Sequence, residues 1–316
     1  MLAILIGLTI GIGLPMQTAV NSQLRDAVRS PFGSSLVSFA IGTVFLVIMT
    51  VATGATLLLP ANFITTEPWW IWIGGVLGVF YLTANVVLFP RLGSVQTVIM
   101  PIMGQILMSM LVDNYGWFYS PKHDLGWSRF VGAILVIIGV ILAVAVESWV
   151  QNRNHPLDAE AKKSVRGSGI WLWRIAGILA GMLSATQTAI NGHLGTVLGS
   201  AVKASLISFV VGTLLLIVIV GVGDRSFSFK SAVTGHWPWW IWSGGIIGAA
   251  FVVGNAYLVP KIGTGLAVVI VLLGQIIGSM LIDQFGWFRA NRRPVVLIQI
   301  VGVLIMVAGV VMIKLV

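Results

Sequence analysis

The sequence predicts an all-α polytopic membrane protein: ten transmembrane helices arranged as two five-helix repeats of inverted topology. Three observations predict it. The chain of 316 residues is 58% hydrophobic and 9% charged, with a mean hydropathy of +1.01, whereas a water-soluble domain carries roughly 25% charged residues. Apolar runs of the ~20 residues a helix needs to cross a bilayer recur along the whole chain. The string Pro68-Trp69-Trp70-Ile71-Trp72, followed by Gly74-Gly75 and Gly78, returns as Pro238-Trp239-Trp240-Ile241-Trp242, followed by Gly244-Gly245 and Gly248. The copies stand 170 positions apart (238 − 68) and mark a duplicated unit. A transmembrane β-barrel is excluded, because its strands would alternate polar and apolar residues.

The apolar runs place spans at about 2–22, 33–54, 69–89, 94–113 and 130–148, then 171–191, 203–223, 239–259, 264–283 and 296–314. The first has neither the basic flank nor the small-residue cleavage site of a signal peptide, and its equivalent lies mid-chain, so it reads as a true span. Between the fifth and sixth spans, residues 151–169 are polar, charged and turn-rich, with Lys162, Lys163 and Arg166. They form a linker between a first repeat, 1–150, and a second, 170–316. The offset of 170 holds without a gap: Gln17 matches Gln187, Asn21 matches Asn191, Ser38-Phe39 matches Ser208-Phe209, and Gly42-Thr43 matches Gly212-Thr213. Further on, Asn85 matches Asn255, Gly104-Gln105 matches Gly274-Gln275, and Asp113 matches Asp283.

Five is an odd number, so the second repeat enters from the opposite side and the halves are related by a pseudo-two-fold axis in the membrane plane. Loop charges agree. Arg25 and Arg29 become Gly195 and Gly199, while Arg225 and Lys230 replace Ala55 and Pro60. With the N-terminus outside, the cytoplasmic side holds 13 basic residues, among them Arg25, Arg91, Arg153, Lys162, Lys163, Arg289, Arg292 and Arg293. Five are left outside: Lys122, Arg129, Lys203, Lys261 and Lys314. Excess Lys and Arg mark the cytoplasmic face, so both termini are expected outside. The net charge of +9 is thus a topology signal, and no nucleic-acid motif accompanies it.

Within the spans, small residues at helical spacing, Gly7/Gly11 with Gly177/Gly181 and Gly74/Gly78 with Gly244/Gly248, read as surfaces where helices approach closely in lipid. Pro15 and Pro101 lie inside helices and read as kinks. Trp69, Trp70 and Trp72 read as interfacial anchors. The informative polar residues are amides. Gln17 and Asn21 share one helix face, Gln187 and Asn191 repeat them, and Gln105 and Gln275 lie near mid-span, where an unpaired amide is costly. Asn85 and Asn255 form a further pair, joined by Tyr81 one turn earlier. These amides are candidates either for gluing helices together or for lining a polar substrate cavity at the repeat interface. Asp113 and Asp283 sit at helix ends, read either as solvated termini or as ion-coupling residues at a cavity mouth.

No nucleophile, base or metal constellation is visible, so an enzyme is not expected. Cysteine is absent and the four histidines lack metal-ligand spacing; no cofactor is expected.

The Gln-x-x-x-Asn of the first helix, the Ser-Phe-x-x-Gly-Thr of the second, the Trp-rich Gly-Gly start of the third and the Gly-Gln of the fourth resemble the drug/metabolite transporter superfamily. In particular the chain looks like the YdcZ-like branch, whose five-span units work as pairs or fused in one chain. The resemblance implies a bacterial inner-membrane carrier of a small-molecule substrate with a cavity between two five-helix bundles. It implies a self-sufficient monomer in the lipid bilayer, with a homodimer as the alternative. The related small multidrug exporters use a glutamate in their first helix, and neither first-helix equivalent here has a carboxylate. A neutral or zwitterionic metabolite held by amides and aromatic faces is therefore expected. A channel or lipid scramblase on the same scaffold, or a non-transporting membrane scaffold, are the alternatives. A pore is expected to carry a polar stripe or charged ring, which the spans lack.

Overall fold

A computed structural model describes residues 2–59, 63–154, 170–223, 227–289 and 295–314. Nine long helices are labelled here: α1 (Leu2–Val28), α2 (Pro31–Ala52), α3 (Gly74–Tyr115), α4 (Trp127–Asn154), α5 (Ile170–Val197), α6 (Ala201–Gly223), α7 (Gly244–Ile262), α8 (Thr264–Phe285) and α9 (Leu297–Lys314). No strand occurs among the described residues. Six helical stretches are long and apolar enough to cross a membrane, with Leu297–Ile313 a shorter apolar helix. The expected linker falls largely outside the described residues, which resume at Ile170.

Equivalent junctions are built alike. The turn from α1 to α2 passes through Arg29 at φ 60°, and the turn from α5 to α6 through Gly199 at φ 62°. Arg29 holds there a left-handed conformation that glycine adopts without steric cost. Ser30 then caps α2, accepting from the Gly33 amide at 2.7 Å, with Pro31 in the first turn. Ser200 does the same for α6 through the Lys203 amide at 3.3 Å.

The 42-residue α3 covers two expected spans. At 1.5 Å per residue a straight helix of that length would reach about 63 Å, twice a bilayer core of ~30 Å. It is not straight. A Cβ on Gly177 would meet Leu88 at 3.6 Å and Met100 at 2.8 Å, residues that a straight helix would hold about 18 Å apart. Tyr81 and Gln105 likewise bond at 3.2 Å. The chain therefore doubles back between Leu88 and Ile99. In the second half the same reversal is an open break between α7 and α8 at Gly263, φ 78°. There Gly7 faces Leu258 and Ile270 together, at 3.5 and 2.7 Å.

Helix directions follow from the glycine contacts. Gly244, at the start of α7, lies against Asn21 at the C-terminal end of α1, while Val259 near its finish lies 2.6 Å from where a Cβ of Gly192 would stand in α5. At the centre, α2 crosses α6: Phe39 stacks on Phe209 (centroids 4.8 Å, 28°), and Thr43 bonds its own equivalent, Thr213, at 3.1 Å. Off to one side, α4 packs on α9 through Gly132 with Gly309 and Gly139 with Gly302, where a Cβ would come within 2.5–2.7 Å of the opposing carbonyls. Such small-residue contacts let backbones meet where no hydrophobic force drives helices together. The largest core cluster joins α3, α4, α8 and α9 around Ile106, Val136, Val140, Leu272 and Met306.

The tryptophan strings are single 3-10 turns, Trp69–Trp72 and Trp239–Trp242, preceding the third helix of each half. Only the first indole of each is bare, Trp69 at 76% and Trp239 at 82% exposure. The reading of three anchors is corrected here. Trp72 packs edge-on against Phe63 at 5.5 Å, and Trp70 turns in onto Phe118 at 5.3 Å. A 3-10 turn directs successive side chains about 120° apart, so Trp70 points away from the face that Trp69 presents.

Candidate functional site

The amides of α1 reach into the other half. Gln17 lies against Gly248 and Asn21 against Gly244, both on α7, so closely that a Cβ on either glycine would overlap the carboxamide. In the reciprocal arrangement Gln187 lies against Gly78 (2.7 Å from a Cβ) and Asn191 against Gly74 (2.5 Å), both on α3. The glycines that follow the tryptophan strings are thus the seats of the partner half's amides. Each asparagine is also held by a serine of its own half. Ser38 Oγ donates to Asn21 Oδ1 at 2.5 Å, and Asn191 Nδ2 donates to Ser208 Oγ at 3.3 Å. Asn191 Oδ1 is left buried without a partner; turning its carboxamide over would reproduce the Asn21–Ser38 bond.

Gln17 and Gln187 are half-buried and make no hydrogen bond among the described residues. Neither carboxamide is fully buried, so both can be reached by water or by a guest. Between α1, α2 and α7 a cleft opens, lined by Gln17, Asn21, Ser35, Ser38, Leu82, Gly245 and the Phe39–Phe209 stack, about 220 Å³ counting its open mouth. Its interior has room for a water-sized guest only. The stack closes it, each ring resting on the opposite half's glycine, Phe39 on Gly212 and Phe209 on Gly42. Ser35, Ser38, Phe39, Leu82 and Phe209 were not among the expected site residues. The Ser-Phe-x-x-Gly-Thr repeat was the visible signal for Ser38, Phe39 and Phe209; Ser35 and Leu82 had none.

The remaining candidates are dispersed. Gln105, 6% exposed, donates to the Tyr81 hydroxyl. Its equivalent Gln275 is half-buried, in a half where Phe251 takes the place of Tyr81. Asn255 is buried with its amide turned back onto the Phe251 carbonyl of its own helix at 3.0 Å. The side chain of Asn85 lies outside the described residues.

Asp113 is not at a solvated helix end. It is fully buried and caps a helix of the other half, Oδ1 accepting from the Thr264 amide at 2.7 Å and Oδ2 from Gly265 at 2.9 Å. An acid at a helix N-terminus satisfies orphan amides and complements the dipole. Arg129 completes the group with a 2.8 Å ion pair to Oδ2 and a bond to the His123 carbonyl at 2.8 Å. Ser120 Oγ meets Thr264 Oγ1 at 2.8 Å. A solvated terminus is therefore corrected to an inter-half clasp, which the sequence hid because its parts lie 16 and 151 residues away. Asp283, in contrast, is half-buried.

Comparison with known proteins agrees with this architecture. The family described as "Putative inner membrane exporter, YdcZ" matches residues 2–142 and again 172–312. Eleven solved chains match. One, titled only as a crystal structure of a protein, superposes with a TM-score of 0.69 at 14% identity, over 99% of this chain and 97% of its own; at that identity it supports the fold alone. No curated protein matches by sequence.

Proposed function

The chain belongs to the YdcZ inner-membrane exporter family of the drug/metabolite transporters, as two fused repeats, and from that premise we propose that it carries a small organic solute by alternating access. The protein is a multi-pass membrane transporter and not a member of an enzyme family. The finer reading is ten spans in two inverted repeats. Support for it comes from the doubling back of α3, which supplies two antiparallel arms, and from α7, which begins beside the end of α1 and finishes beside the end of α5. Equivalent helices α1 and α5 then point opposite ways. The loop charges favour both termini outside.

The observation that carries the reading is the pair Gln17 and Gln187. Each is a half-buried amide without a partner among the described residues; Gln17 lines the cleft between the halves, where transporters of inverted repeats hold substrate, and Gln187 is seated on Gly78 at the equivalent place. A solute that enters can bond Gln17, and the aromatic stack supplies apolar contact beside it. With no charged residue among the described residues that line the cleft, a neutral or zwitterionic metabolite fits best. Its passage requires the Phe39–Phe209 stack to part, since the cleft is otherwise water-sized.

Purified protein in liposomes tests this. Counterflow of a metabolite picked by thermal-shift screening is expected, and it should collapse in Gln17→Leu/Gln187→Leu protein that remains folded. Undiminished counterflow in that variant would remove the amides from the site.

A further inference from the structure

Beyond the cleft and the Asp113 clasp, one other cluster of titratable groups bridges the halves. His193, near the C-terminal end of α5, points its Nε2 at Glu67 Oε2 from 3.8 Å. Nε2 itself is buried and has no hydrogen-bond partner. The imidazole is stacked on Tyr119 (centroids 4.6 Å, 29°) and lies 5.4 Å from the Trp70 ring. Glu67, Trp70 and Tyr119 belong to the first half and His193 to the second, so a change in this pair acts across the interface that must open.

We infer that the His193–Glu67 pair is a proton-binding site whose occupancy draws the two halves together at the Asp113 end. The proton is delivered to Nε2 from hydronium of the bulk solvent, one hydronium O–H bond breaking as one N–H bond forms and a neutral water leaving, and it is then shared with the Glu67 carboxylate. When His193 is neutral it carries no charge to set against the Glu67 carboxylate, and at 3.8 Å its Nε2 makes no hydrogen bond to it. When His193 is charged, an N–H is directed at Glu67 across a gap about 1 Å longer than a charge-assisted bond, and closing that gap pulls α5 onto the Trp69–Trp72 turn. The imidazolium also gains from the faces of Tyr119 and Trp70.

The other charged groups on the elements packed there are engaged elsewhere. Lys203 of α6 bonds the Leu58 carbonyl at 3.3 Å, Lys261 of α7 sits on the Tyr257 hydroxyl at 2.9 Å, and Asp113 is taken by Arg129. Glu67 and Tyr119 are the titratable groups that face the imidazole. The repeat supplies a built-in control. At the opposite end the positions of His193, Glu67 and Tyr119 are Gln23, Trp237 and Arg289, so the equivalent place there has no imidazole–carboxylate pair. Proton binding of this kind belongs to one end.

This deepens the transport reading by naming a coupling ion, and rests on it for that word alone; the test reads proton binding and spacing without flux, so each can fail separately. The chain has four histidines and no cysteine, which makes both readouts clean. In protein labelled at histidine Cε1, the resonance lost in His193→Gln is assigned to His193 and titrated. Its midpoint should fall by about half a pH unit or more in Glu67→Gln, since an opposite charge within 4–6 Å favours the protonated form. Spin labels on Leu58→Cys and Val197→Cys, one in each half, should show a shorter spacing at pH 5 than at pH 8, and the difference should vanish in His193→Gln. That variant carries the residue found at position 23, which the fold already accommodates. A His193 midpoint indifferent to Glu67→Gln, or a spacing that does not respond to pH, overturns the inference.

Discussion

The end of the bundle that carries Asp113 and the end that carries Asp283 come from the same repeat but are closed by different chemistry. At the first, a buried carboxylate clasps Thr264 and Gly265 of the other half under an arginine. At the second, Arg129 and Ser120 are replaced by Gln299 and Ala290. Gln299 accepts from the Val296 amide at 3.0 Å and donates to the Ala143 carbonyl of the first half at 3.3 Å, so it too reaches across the halves, as a neutral amide. The reversal in chain direction in the second half is an open break at Gly263, beneath the Asp113 clasp. The centre, by comparison, keeps the same amide–glycine seats and the same aromatic stack on both sides of the axis. Symmetry was retained where solute is expected and lost where gating is expected.

The comparison is most severely tested at Arg129. Replacing it with Leu leaves Asp113 charged and buried without its partner, and removing one member of such a pair costs about 3–5 kcal/mol. A large fall in the thermal midpoint is expected, with part recovered on adding Asp113→Asn. If Arg129→Leu melts like the parent, the clasp does not hold the Asp113 end. Next come Gly248→Ala and Gly78→Ala, whose new methyls displace Gln17 and Gln187 and cost about 1–3 kcal/mol each by overpacking. Equal losses in denaturant unfolding are the outcome a symmetric centre requires; a large difference between the two breaks the comparison. Smaller still, Gln17→Leu and Gln187→Leu taken singly should each reduce counterflow about tenfold, close to the ~1.4 kcal/mol of one lost hydrogen bond. Asp283→Asn, at a half-exposed carboxylate, should move stability by less than about 1 kcal/mol. A loss matching that of Asp113→Asn would mean the two ends are locked alike.

Much of this was legible beforehand, because a bilayer restricts a chain to helices of known length and a strict offset exposes their equivalence. The positions of Gln17, Asn21, Gln187 and Asn191 on the first helix of each half were readable from spacing alone. Their partners were not. Gln17 rests on Gly248 rather than on its own half's Gly78, and a repeat says which residues correspond, not which ones touch. The burial of Asp113 depends on Thr264 arriving from the far half, a long-range pairing with no local signature. Asn255 shows the reverse failure: a mid-span amide that looked available is spent on a carbonyl four residues back.

Thr43 meets Thr213 and Phe39 meets Phe209, each residue touching its own copy. Contacts between equivalent residues are what the two-fold seam of a homodimer has. An antiparallel dimer of identical chains has no top or bottom, since turning it over reproduces it, and any substitution appears on both faces at once. Joining the two copies end to end released each from that constraint. A histidine at 193 no longer obliges one at 23, nor an arginine at 129 one at 299. The fusion is thus what allows this molecule to know which way it faces, and a vectorial carrier needs nothing more from it.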